Sequence, residues 1–285
     1  MTAVLITGCS SGIGRATALR LARRPELTVY ATARRPQTLT DLAAAGCHPL
    51  ALDVTDEESM SSAVAVVEKA HAAVGVLVNN AGYGEYGTVE EVPLARVRAQ
   101  FETNVYGLAR LCQLVLPGMR SAGGGRVVNV SSMGGRLVFP GGGFYHASKY
   151  AVEALSDALR FEVAPFGVKV SIVEPGLTRT GFGEVAAGTL AGTVAQAGAA
   201  AGAGEDGDGP YARLNRVIDA QMAQGYRSRL LAADPDRVAR VVERAVTARR
   251  PRRRYVVTAA ARVLVHTRRL LGAGAFDTML RAQFR

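Results

Sequence analysis

The sequence predicts an α/β domain built on a doubly wound parallel sheet of about seven strands, with helices on both faces. Three observations carry this expectation. Short apolar runs alternate with longer segments of helical periodicity. The runs are apolar at nearly every position, as strands covered on both faces are. The repeat also leaves room for a helix in each crossover, as right-handed parallel connections require. With 285 residues, 48% of them hydrophobic, the chain can bury one large core.

Ala3–Ile6 reads as the first strand and Ile13–Arg24 as the first helix. Strand Thr28–Ala33, short helix Gln37–Ala45, strand Pro49–Leu52, helix Glu57–Val74 and strand Val76–Val78 follow. Leu94–Ala122 reads as one long helix, Arg126–Val130 as a strand, Tyr145–Val163 as a helix and Val168–Val173 as a strand. The alternation fails after Gly176. Residues 183–209 are rich in Gly and Ala and run into Gly204-Glu205-Asp206-Gly207-Asp208-Gly209-Pro210. They read as a surface insertion or a mobile lid, so 181–230 is expected to form a substrate loop and lid region. Helical periodicity returns over Arg213–Gln224 and over Asp234–Arg249, where Asp234 suits an N-cap and Pro235 the first helical position. Arg254–Val257 reads as a last strand and 260–285 as a basic amphipathic tail, all within one domain spanning 1–285.

The charge of +10, from 34 basic and 24 acidic residues, admits nucleic acid, an anionic membrane surface or a phosphorylated ligand. The densest basic run, Arg249-Arg250-Pro251-Arg252-Arg253-Arg254, has no interleaved aromatics and reads as a solvated segment, so no nucleic-acid partner is expected. The tail sets Leu264, Leu270, Leu271, Met279, Leu280 and Phe284 among arginines. Packing on the body is expected there, with covering of the substrate entrance or peripheral membrane contact as the alternatives. Cys9, Cys47 and Cys112 are too far apart for a metal or redox motif, so reduced thiols, a cytoplasmic setting and no metal site are expected. No basic n-region with a cleavage site opens the sequence, and no apolar run approaches the ~20 residues of a membrane span.

Ligands of such sheets bind beyond the carboxyl ends of the strands. The first strand ends in Thr7-Gly8-Cys9-Ser10-Ser11-Gly12-Ile13-Gly14-Arg15, and a helix follows at once. The glycines permit a tight turn and close backbone approach, and the helix start offers free N–H groups to a pyrophosphate: a Rossmann-like dinucleotide site. No Gly-Lys-Ser/Thr follows, so this is not a phosphate-transfer loop. The end of the second strand carries Arg34-Arg35 in place of the carboxylate that would bind a free ribose. Guanidinium groups suit a 2′-phosphate, so NADP(H) is expected over NAD(H), with Arg15 able to assist. Asp53-Val54 follows the third strand, where the carboxylate suits an adenine amino group or a turn.

The spacing Thr-Gly-x3-Gly-x-Gly resembles the fingerprint of the short-chain dehydrogenase/reductase family. Asn79-Asn80-Ala81-Gly82 is similar to that family's Asn-Asn-Ala-Gly motif, implying backbone laid along the adenosine ribose. Tyr145-His146-Ala147-Ser148-Lys149 puts a phenol and an ammonium on one helical face, where the cation would lower the phenol pKa. Ser132 ends the fifth strand and Asn104 sits in mid-helix, where Asn has poor propensity. The four positions match the family tetrad. The resemblance implies Tyr145 as acid/base, Lys149 as its modulator and ribose ligand, Ser132 as the group orienting the carbonyl, and Asn104 as holder of a relay water. His146 reads as an ordinary helix residue. Pro175-Gly176-Leu177-Thr178-Arg179-Thr180 matches Pro-Gly-x3-Thr, implying nicotinamide carboxamide contacts from the Leu177 backbone and the Thr180 hydroxyl.

The resemblance covers residues 3–180. Val29–Pro36 and the tail are similar to the branch holding 17β-hydroxysteroid and retinol dehydrogenases. That implies NADP(H)-dependent ketone reduction or alcohol oxidation on a bulky apolar, steroid-, retinoid- or polyketide-like substrate. Met133, Leu137, Phe139, Phe144 and Phe182 are the expected pocket lining. The family habit implies a homodimer or homotetramer through 94–122 and 145–163. A non-enzymatic NADP(H) sensor or scaffold on the same fold is the alternative, and the complete tetrad argues against it.

Overall fold

The computed structural model describes residues 1–200, 209–228 and 230–284. Seven parallel strands form one sheet in the order β3-β2-β1-β4-β5-β6-β7. They are β1 (Thr2–Ile6), β2 (Leu27–Ala33), β3 (His48–Ala51), β4 (Val76–Asn79), β5 (Gly125–Val130), β6 (Val168–Glu174) and β7 (Arg254–Val256). The order reverses between β1 and β4, where the α/β rule puts the ligand crevice. Helices α1 (Gly12–Leu21), α2 (Thr40–Ala44) and α3 (Glu57–His71) join the first four strands. Helices α4 (Leu94–Phe101), α5 (Gly107–Ser121) and α6 (Gly143–Glu162) serve the next two crossovers.

Strand alternation explains the continuous apolar runs. Val4 and Ile6 face Ala18 and Leu21 of α1 and Val238, Val242 and Val246 of α9 (Pro235–Thr247). Ala3 and Leu5 face the other way, onto Met60, Val64 and Val67 of α3 and Leu111, Val115 and Met119 of α5. Both faces are buried, so neither can be polar. Asp234 caps α9 as expected, its carboxylate accepting from the Asp236 N–H at 2.9 Å.

Two elements differ from expectation. The single long helix over 94–122 is interrupted by a π turn, Glu102–Tyr106, in which the Gly107 N–H reaches back to the Glu102 carbonyl. A π turn adds one residue to the helix and so re-aims the side chains it carries, Asn104 among them.

The Gly/Ala-rich stretch is helical: α7 runs Phe182–Ala200 and α8 runs Ala212–Arg227. Alanine is the best helix former, and here it outweighs the scattered glycines. Two threonines dock α7 on the loop after β4. The Tyr86 N–H donates to Thr189 Oγ1 at 3.1 Å, and Thr193 Oγ1 donates to the Tyr86 carbonyl at 3.2 Å. The acidic part of that stretch, within 201–208, lies outside the described residues.

The tail forms α10 (Ala259–Gln283), bent at Gly272 where φ is 75°. The bend lets Val265 and Phe276 converge on Leu137, with Met133, Phe139, Leu264 and Leu280 around them. The tail therefore packs on the body. Among the described residues no helix is long and apolar enough to cross a membrane.

Candidate active site

The carboxyl ends of the strands open onto one cavity of about 1300 Å³. Its first end is backbone. Gly8, Ser10, Ser11, Gly12 and Ile13 line it as β1 passes into α1. Gly8 and Gly12 have φ of 71° and 57°, values that only glycine adopts cheaply. Gly14 lies behind them, so close to the Gly8 carbonyl that a Cβ there would sit 2.3 Å from it. Asn80 holds the loop: its Nδ2 donates to the Thr7 and Gly8 carbonyls at 2.9 and 3.1 Å. The Asn80 and Ala81 N–H groups both donate to Thr7 Oγ1 at 2.9 Å. Ala81 and Gly82 continue the wall, and Asp53 and Val54 face it from the end of β3. One Asp53 carboxylate oxygen accepts from the Thr55 N–H and hydroxyl, so the residue also shapes its own turn.

A loop with two positive-φ glycines, followed at once by a helix start, fits a pyrophosphate. Of the arginines, Arg34 lines the cavity. Arg35, exposed like Arg34, is not part of the lining. Arg15, expected to assist, is ion-paired with Asp41. Of the three arginines, Arg34 alone is part of the cavity lining.

The middle of the cavity gathers Ser132, Tyr145 and Lys149. Tyr145 and Lys149 share the inner face of α6, and Ser132 follows β5 in extended conformation. Burial pushes the Tyr145 phenol up to about 12, against a downward pull from the Ser132 hydroxyl. Burial also pulls the Lys149 ammonium down to about 8, while Glu153, one turn on, opposes this. Lys149 Nζ donates to the Val130 carbonyl at 3.0 Å. The ammonium is thus anchored on β5 one turn of α6 from the phenol, and Ser132 is the side chain hydrogen-bonded to the phenol.

Asn104 is not on the wall. Its carboxamide is spent behind it, accepting from the Tyr83 N–H at 3.0 Å and donating to the Tyr83 carbonyl at 2.9 Å and to Ser148 Oγ at 3.0 Å. It buttresses both α6 and the loop after β4. Behind Lys149 lies a buried acid–arginine cluster. Arg254 contacts Glu153 at 3.1 Å and Glu174 at 3.2 Å. Burial, with Glu153 adding, pushes the Glu174 carboxyl up to about 7.

Pro175, Gly176, Leu177, Thr178 and Thr180 line the turn after β6. The far end is apolar. Of the expected lining, Met133, Phe139 and Phe182 are present. Leu137 belongs to the buried cluster under the tail, and Phe144 is not part of the wall.

Sequence reasoning missed Tyr86, whose ring stacks on Tyr145 at 5.8 Å, and Tyr226, half-buried nearby. It also missed Ile218 and Leu231, while Leu264, Met279 and Phe284 of the tail, one alternative for which is to cover the substrate entrance, do line the cavity. Isolated apolar residues on helices give no signal of which cavity they face. Among the described residues no cluster of His, Cys, Asp or Glu could hold a metal ion, and the three cysteines are free and buried.

A parallel sheet with the 3-2-1-4 order, a glycine loop at its switch point and a buried Tyr/Lys pair define a dinucleotide-binding α/β protein. The family model for short chain dehydrogenase matches residues 2–189, and the chain belongs to that family. It is 38% identical to rat estradiol 17-beta-dehydrogenase 1 over 269 residues, 90% of this chain and 74% of the relative. It is 42% identical to the 3-ketodihydrosphingosine reductase of Bacteroides thetaiotaomicron over 179 residues, 63% of this chain. That match spans 65% of the relative's length, as does the match to the Bacillus subtilis oxidoreductase YusZ. Among solved structures, a Streptomyces avermitilis short-chain dehydrogenase superposes with a TM-score of 0.76 at 35% identity, covering 99% of this chain and 96% of its own. A Burkholderia phymatum short-chain dehydrogenase in complex with NAD gives 0.76 at 25% identity, covering 94% and 92%.

Proposed function

We propose that the protein is an NADP(H)-dependent oxidoreductase that reduces the carbonyl of a bulky apolar substrate. The observation that carries this reading is a single cavity with a glycine loop and Arg34 at one end, Tyr145 and Lys149 in the middle and an apolar chamber beyond. A bound nicotinamide cofactor would supply the hydride. Gly8, Ser11, Gly12, Ile13 and Asn80 would hold its phosphates and ribose, Arg34 a 2′-phosphate, and the Pro175–Thr180 turn its carboxamide. Tyr145 gives its phenolic proton to the carbonyl oxygen, and Ser132 donates a second hydrogen bond to that oxygen. Lys149, charged below about pH 8, stabilises the phenolate left behind.

The relatives' names, an estradiol dehydrogenase and a ketodihydrosphingosine reductase, support an apolar substrate. So do Phe139, Phe182, Leu264, Met279 and Phe284 in the wall. Helices α7, α8 and α10 form the substrate-covering region. Exposed Tyr106 in the π turn, with Leu155 and Phe161 on α6, supports pairing of two chains through 94–122 and 145–163, and the buried thiols support a cytoplasmic setting.

The test is Tyr145→Phe. Turnover should fall by about 10³-fold while NADPH still binds with wild-type affinity. Near-normal turnover would remove Tyr145 as the acid and the reading with it.

A further inference from the structure

We infer that His146 is a positioning residue that sets the Ser132 hydroxyl from the helix carrying Tyr145. The inference rests on the proposed reading of the site.

His146 is 3% exposed, and its Nδ1 lies 3.0 Å from the Gly134 carbonyl. A carbonyl only accepts, so Nδ1 carries the proton and the neutral ring keeps a bare Nε2. Burial agrees, holding the imidazole down to about 4, well below neutral pH. Nε2 is buried with no partner, so the ring gains its hydrogen bonding at Nδ1.

The peptide it grips is the one that fixes Ser132. The Gly134 N–H donates to Ser132 Oγ at 3.0 Å. Residue 134 is thus held at both ends, by the serine at its N–H and by the histidine at its C=O. With one lone pair of Oγ occupied, the hydroxyl proton is left to donate to the reacting oxygen.

The fit requires a glycine. A Cβ on residue 134 would lie 2.5 Å from His146 Nδ1 and 3.3 Å from Ser132 Oγ. Tyr145 and His146 are adjacent, with ring centroids 5.6 Å apart. One dipeptide of α6 therefore places the acid directly and the serine through Gly134. A positioning error of this kind acts on kcat, because it changes the geometry met by the transition state and not the grip on the apolar body of the substrate.

The experiment is a double-mutant cycle on the full chain, with NADPH and whichever of estrone, tetralone or cyclododecanone is reduced fastest. His146→Leu should lower kcat by about 10-fold, the scale of one lost hydrogen bond in the transition state. KM and NADPH affinity should stay within about 3-fold. His146→Asn carries an amide N–H near the Nδ1 position and should restore most of the rate. In a Ser132→Ala background the same His146→Leu change should cost less than about 3-fold, because the group it positions is gone.

Equal cost in both backgrounds would mean a general structural role and overturn the inference. So would no cost in a wild-type background while Ser132→Ala is impaired. Full turnover by Ser132→Ala itself would instead overturn the reading of the site on which the inference rests. Should the Leu variant fail to fold, His146→Gln serves in its place, since it keeps polarity but moves the donor one bond outward.

Discussion

At one end the cavity wall is backbone; at the other it is side chain. The cofactor end uses Gly8, Gly12, Asn80, Ala81 and Gly82, held by hydrogen bonds among Thr7, Gly8 and Asn80. The substrate end uses Phe139, Phe182, Tyr226, Leu264 and Met279, brought together from α6's approach, α7, α8 and both arms of α10. The two ends put different demands on sequence. A wall of backbone needs particular residues at particular φ values, so few sequences can build it. A wall of apolar side chains needs only bulk and packing, which many sequences provide. The first end should respond to substitution by losing cofactor or chemistry, and the second by changing substrate preference and stability.

The comparison breaks hardest at the seam. Lys149→Met should cut turnover by about 10²-fold or more, because the cation that stabilises the phenolate is gone. It should also keep or raise the melting temperature, since a buried charge that burial disfavours is removed. Calorimetry beside a rate assay checks both halves; loss of folding would contradict the desolvation argument.

Arg34→Ala should weaken NADPH by roughly 10- to 100-fold, the worth of one or two charge-assisted hydrogen bonds, and leave NADH within about 3-fold. Arg35→Ala should change neither by more than about 3-fold, since Arg35 is not part of the cavity lining. Equal losses for both cofactors on Arg34→Ala would mean that this side chain does not read the 2′-phosphate.

At the substrate end, Phe276→Ala should destabilise the fold by about 3 kcal/mol or more and loosen the wall that Phe139 forms. NADPH affinity should be unchanged while KM for large ketones rises.

The smallest effects are those of pH. The Lys149 ammonium titrates at about 8, so reduction should slow as pH rises through that value. Glu174 titrates at about 7, above an ordinary carboxyl, so the stability tied to its protonated form is complete in acid and lost as pH rises through about 7. Glu174→Gln should therefore raise the melting temperature in mildly alkaline buffer and change it little in acid.

The same contrast explains what the sequence made legible. Val4, Ile6, Ala3 and Leu5 announce a doubly covered strand because both neighbours of each must be apolar. The glycine loop, Asn80, Ser132, Tyr145 and Lys149 were legible because their residue types are tied to local geometry at strand ends. Asn104 was legible as an anomaly in a helix, but not its direction, because the π turn that rotates it leaves no mark in hydrophobic periodicity. Helix α7 was hidden by composition: its glycines look like loop, and the threonines that dock it on Tyr86 pair only in three dimensions. His146 gave no signal, because its partner is the backbone of Gly134, not a side chain.

The most direct test of the account is the loss of NADPH absorbance in the presence of ketones graded by size and polarity. The account predicts that estrone, tetralone or cyclododecanone is turned over with a kcat/KM at least about 100-fold above that of an open-chain sugar, and that NADPH outperforms NADH by about 10-fold or more. Equal use of sugars, or a preference for NADH, would contradict it.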